Sequence, residues 1–178
     1  MSIYDFEPYD LSGLRTYPLA SRPSKVTVAD FATGFDGGSF SDFLGSLPKV
    51  LAVNDLIELA GLVRAARTAG LPVIAGLGGH VIKTGCGPVL IDLMRRGIIT
   101  AFAMNGSCLV HDFEIAVSGG TSEDVDATLG SGSFGAAEET GRILNEAAVS
   151  GSGDGIGLGE AVGRAITGLE PRFASSSM

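Results

Sequence analysis

At 178 residues, 45% of them hydrophobic, the chain is long enough to bury a core and too apolar for the disordered class. A formal charge of −8 argues against unassisted binding to nucleic acid or to an anionic membrane. The two cysteines are too few for a disulfide framework and suit a reducing interior. The opening MSIYDFEPYD has neither the basic region nor the apolar run of a secretory leader. No run of 18 apolar residues occurs, so no membrane span is expected and the expected location is cytoplasmic.

Residues 1–50 read as an N-terminal arm and loops, and residues 51–178 as a partial α/β domain. The first 24 or so residues are turn-rich, with Pro8, Pro18 and Pro23. SKVTVADFA reads as a short strand or as a helix starting at Val28. GFDGGSFSDFLGSLPKV is a loop with an embedded helical turn, bent at Gly37-Gly38. From Asn54 to Ala69 the period becomes helical, with Leu56, Leu59, Val63 and Ala66 on one face; Asn54 or Asp55 caps it and Gly70 stops it.

LPVIAGL follows as an unbroken apolar strand, then a loop over 78–85, then a helix over about 87–96 with Pro88 in its first turn. IITAFAMNG is a second continuous apolar strand. Strands apolar on every residue and alternating with helices predict a parallel sheet with helices on both faces, an α/β arrangement. After a polar loop, MNGSCLVHDFE, come a short helix in DFEIAVSG and another in TSEDVDATL, capped at Thr121 or Ser122. GAAEETGRILNEAAVSG and GIGLGEAVGRAITG make two more, and EPRFASSSM ends as a polar stub. Two defensible strands are few for a doubly wound domain. The chain therefore reads as incomplete, with a second chain or a longer unit supplying the remaining strands.

All the histidine and cysteine falls within Gly76–Glu114. A P-loop needs Gly directly before Lys-Ser/Thr, and Ile82 precedes Lys83-Thr84. A GxGxxG match over 130–135 follows a helical pattern rather than a strand and reads as a connecting loop. Gly76-Leu77-Gly78 does follow a strand, but Val81 stands where a third glycine belongs. What persists is the physics of strand, glycine turn and helix start. Gly78 and Gly79 let the backbone turn tightly, Thr84 or Gly85 caps the next helix, and free N–H groups there take a phosphate beside Lys83. The bland alternative is a structural turn with a surface lysine.

Asn105, Gly106 and Ser107 hold the same position after the second strand, with His111, Asp112 and Glu114 at the start of the next helix. Loops after neighbouring parallel strands frame one crevice, so both clusters are expected to face it. Alternatively, Asp112 and Glu114 only favour a helix start and His111 is a capping neighbour. His80, Cys86, Cys108 and His111 lack the paired short spacings of a zinc site, so no metal is expected. A Cys108–His111 nucleophile pair lacks a third group.

GGHVIKTGCGPVLIDLMRRGIITAFAMNGSCLVHDFEIAVSG resembles the amino-terminal half of deoxyhypusine synthase and its bacterial relatives, over about residues 50–150. The resemblance implies a Rossmann-like NAD-binding fold, a polyamine substrate such as spermidine, aminobutyl transfer through an imine on a lysine to a protein lysine acceptor, and a homo-oligomer. It implies that Gly79, His80, Lys83, Thr84, Gly85, Asn105, Gly106 and Ser107 bind the cofactor. His111, Asp112 and Glu114 would sit near the nicotinamide and the amine. Carboxylates suit a polycation there. The chain departs from the family in lacking the carboxyl half that carries the imine-forming lysine: its three lysines are Lys25, Lys49 and Lys83. The alternative reading is a non-catalytic nucleotide-binding or assembly module.

Overall fold

A computed structural model describes residues 9–178; Pro8 and the first part of the expected arm lie outside the described residues. The chain divides into two compact units, Met1–Leu59 and Ala60–Met178. Among the described residues no helix is long and apolar enough to cross a membrane.

In the first unit, Val28–Asp30 is a single 3-10 turn, neither the strand nor the longer helix open from sequence. The embedded helical turn is α1, Phe40–Ser46. Its cap is reciprocal: Asp42 N–H donates to Ser39 Oγ at 3.2 Å, and Ser39 N–H and hydroxyl donate to Asp42 Oδ2 at 2.8 and 2.7 Å. Helix α2, Ala52–Thr68, crosses the division between the units and ends at Gly70, φ +68°.

These donors set an acid limit for α1. The Ser39 hydroxyl, then its N–H, hold the Asp42 carboxyl below the ordinary 3.8. Thr27 N–H, then its hydroxyl, do the same for Asp30. A carboxyl whose folded-state pKa is depressed stabilises above its unfolded pKa and loses that contribution as pH falls through the folded value. The α1 cap is therefore expected to open only below pH 3.8, followed on the Ser39 amide resonance. A Ser39 transition centred above that value would contradict the cap.

The second unit is built on two parallel strands, β1 (Ile74–Leu77) and β2 (Ala101–Met104), with Ile74 opposite Ala101 and Leu77 opposite Met104. Between them run α3 (Gly79–Val81), a π turn (Ile82–Cys86) and α4 (Gly87–Arg95). The segment 78–85, expected as a loop, is thus mostly helical. Only Gly85, at φ +92°, needs a left-handed backbone, and this is where the helical path kinks. Ile82, 1% exposed, anchors the turn from inside.

Helix α5, Gly106–Ser118, begins directly after β2, so the second expected loop is helical too. A short α6, Val125–Thr128, is capped by Asp124 through the N–H groups of Asp126 and Ala127, not by Thr121 or Ser122. Helices α7 (Glu138–Asp154) and α8 (Leu158–Gly168) pack together where Gly151 admits the methyl of Ala161.

Ile82, Leu90 and Cys108 form a buried cluster, joined by Leu77, Phe102, Ile115 and Met178. Leu77 and Phe102 belong to one face of the sheet; Ile74, Gly76, Ala101 and Ala103 form the other and are exposed, Ile74 by 65%. This corrects the expectation of helices on both faces. Continuous apolar runs predict two-sided burial, whereas the described residues cover one side. The expected stub at the end is also a packed segment. Phe173 N–H donates to Ala116 O at 3.1 Å, and the Phe173 ring lies against Gly119.

Candidate functional site

The two post-strand bends come together at Gly79. A Cβ on this glycine would stand 2.9 Å from both Ser107 Cβ and His111 Cδ2. Ser107 and His111 are four residues apart, one helical turn, so one ridge of α5 meets the start of α3. Cys108, fully buried, gives its thiol to Leu77 O at 3.4 Å and ties α5 to the end of β1. A thiol sealed in this way acts as packing, not as a nucleophile.

On the far side of His111 lies a chain of hydrogen bonds. His111 Nδ1 is 2.8 Å from Thr121 Oγ1, and the Thr121 hydroxyl donates to Glu114 Oε2 at 2.5 Å. The Thr140 hydroxyl donates to Glu114 Oε1 at 3.3 Å. His111 and Glu114 are 4.0 Å apart directly and both half-buried, with side chains 18% and 24% exposed, so the threonine is their bridge. Sequence reasoning missed both threonines in this role. Thr121 returns to α5 after Gly119, φ +74°, and Thr140 comes from α7; no periodic pattern joins either to His111.

Glu114 also walls a hollow of about 490 Å³ with Phe113, Thr121, Glu123, Glu139 and Thr140. A second hollow, about 440 Å³, shares Glu114, Glu123 and Thr140, adds the amide of Asn145, and is lined beyond these by apolar residues such as Leu109, Leu144 and Val162. No described lysine, arginine or histidine lines either one. Three carboxylates without a cation make this a negative, partly apolar recess.

The remaining expected residues separate into groups. Asp112 lies on another face of α5, about 200° round the helix from Glu114. Its buried carboxylate accepts the Ser177 hydroxyl at 2.6 Å and Met178 N–H at 2.9 Å, so it anchors the C-terminal segment. Asn105 is the α5 cap, accepting Cys108 N–H at 3.3 Å and the Ser107 hydroxyl at 2.8 Å; Gly106 opens the helix. His80 is exposed and Lys83 half-buried. Thr84 gives its hydroxyl to His80 O at 2.7 Å, and Gly85 is the kink.

Neither Thr84 nor Gly85 caps α4, whose flanking residue is Cys86 without a side-chain cap. The backbone of Ser176 lies 3.5 Å from where a Cβ of Gly87 would be, against that helix start. The helix starts beside the strand ends are those of α3 and α5. The two hollows beside α5 are lined by neither Thr84 nor Asn105. The bends meet in direct contact, and the recesses open on the Glu114 side. No family model matches the chain, and neither a curated protein nor a solved structure matches it.

Proposed function

We propose that the chain is an NAD-dependent transferase of the deoxyhypusine synthase type, acting on a polyamine such as spermidine within an incomplete Rossmann-like α/β fold. The observation that carries this reading is the run from Gly79 through His111 and Thr121 to Glu114. It links the carboxyl ends of two parallel strands, where dinucleotides bind in such sheets, to a recess walled by Glu114, Glu123 and Glu139. The residues fit the phosphate end of a dinucleotide in part: α5 starts at a strand end, and Lys83 supplies a positive charge in the adjoining turn.

Bound NAD would supply the acceptor for a hydride leaving the carbon beside the amine. The chain's own residues handle what remains. The carboxylates attract the polycation, and the conversion of C–H and N–H to C=N releases one proton. His111, which lines neither recess, takes it on its strand-end edge, where the reacting carbon would meet the cofactor while the rest of the polyamine reaches the carboxylates. Glu114 stabilises the imidazolium through Thr121. No lysine in the recess offers an imine, so the transfer step draws on an acceptor or a second chain for its amine. The exposed sheet face supports that same second chain, or a second copy in a homo-oligomer. The two free cysteines suit a cytoplasmic setting.

The test is NADH formation, followed by absorbance, when the chain is mixed with NAD and spermidine. Turnover is expected, with His111→Ala slowing it by about 100-fold or more. Unchanged turnover in His111→Ala would contradict the assignment. One observation favours a second reading, a non-catalytic nucleotide-binding or assembly module: the uncovered apolar face of β1 and β2. Binding of NAD without any turnover of the amine would support that module.

A further inference from the structure

We propose that Thr121 is a positioning residue that holds His111 in the tautomer protonated at Nδ1, leaving Nε2 as the atom that takes a proton. A threonine hydroxyl has one proton to give, and an ionised carboxylate can only accept. Glu114 receives hydroxyls on both oxygens, from Thr121 at 2.5 Å and from Thr140 at 3.3 Å. With its proton committed to Glu114, Thr121 can meet His111 Nδ1 at 2.8 Å only through a lone pair, so Nδ1 carries the hydrogen.

The ring geometry gives the consequence. The opposite edge of the imidazole, at Cδ2, faces Gly79 and the end of β1. Nε2 is bonded to Cδ2 and makes no hydrogen bond to the described residues, so the basic nitrogen is on the strand-end side. Glu114 then acts on the reacting side only through Thr121. The assignment of Nε2 as a base rests on the function proposed above. The tautomer itself does not.

The test needs neither cofactor nor amine. With only two histidines in the chain, a long-range ¹H–¹⁵N correlation spectrum of labelled protein holds two imidazole patterns. At about pH 8.5, well above the roughly 6.5 of a free imidazole, exposed His80 serves as the internal reference, assigned by His80→Gln. His111 is expected to show a protonated Nδ1 and an unprotonated Nε2. Thr121→Val is expected to shift it to the averaged pattern of His80, and Thr121→Ser to retain the wild-type pattern. A wild-type His111 protonated at Nε2, or at both nitrogens, would overturn the proposal. So would a folded Thr121→Val protein with an unchanged His111 pattern, or a Thr121→Ser protein that loses it. Should Thr121→Val fail to fold, the wild-type and Thr121→Ser spectra still decide. A failed turnover assay would leave this result intact, so the two ideas fail separately.

Discussion

Asp112→Ala is expected to lower the unfolding free energy by about 3 kcal/mol, because a buried carboxylate that accepts two hydrogen bonds is lost and a backbone donor is stranded. Its partners are the Ser177 hydroxyl at 2.6 Å and Met178 N–H at 2.9 Å. Asp112→Asn keeps one acceptor oxygen, and its loss should be nearer 1 kcal/mol. The check is the urea midpoint at constant slope. The same residue was expected, from the family resemblance, beside His111 and Glu114. On the geometry it holds down the segment that carries Phe173 onto Gly119, so the damage should appear in stability while the NADH assay, run where the protein is folded, is little changed. An Asp112→Ala midpoint indistinguishable from wild type would remove the anchor.

Gly79→Ala should disturb the site at its narrowest point. The added methyl would come within 2.9 Å of His111 Cδ2 and of Ser107 Cβ. The second of these is bonded to the α5 backbone, so the helix itself must give. Inserting a methylene into a filled space costs about 1–3 kcal/mol, and here the displaced ring is the one bonded to Thr121. NAD affinity and turnover are both expected to fall. Adding Ser107→Gly removes the obstructing Cβ and should restore part of the loss, a coupling between neighbours that independent sites do not show. Additive losses in the double variant would mean that the two bends do not touch in solution.

The alternation of apolar strands with helices was legible, and β1, β2 and their parallel pairing follow from it. The two bends were less so. Glycine pairs and polar residues such as Asn105-Gly106-Ser107 read as loops, yet Gly78 and Asn105 are each a single extended residue at the start of a helix. Propensity is a weak guide where packing decides: Ile82 and Cys108, buried against Leu77, hold both segments helical. His111 and Glu114, three residues apart, could be seen to share a ridge once α5 was extended to Gly106. Thr121 could not, since it reaches them through a left-handed turn at Gly119. The burial of Asp112 was hidden for a similar reason. Its partners lie 65 and 66 residues away, in a segment whose composition suggests only a polar end.

The most direct test of the account is a calorimetric titration of NAD into the purified chain, because every functional step above presumes that the strand ends at Gly79 and Ser107 accept this cofactor. A saturable heat of binding, weakened in Gly79→Ala and partly recovered with Ser107→Gly, is the expected result. A titration with no saturable heat at millimolar NAD, from wild-type protein with a normal unfolding midpoint, would contradict it.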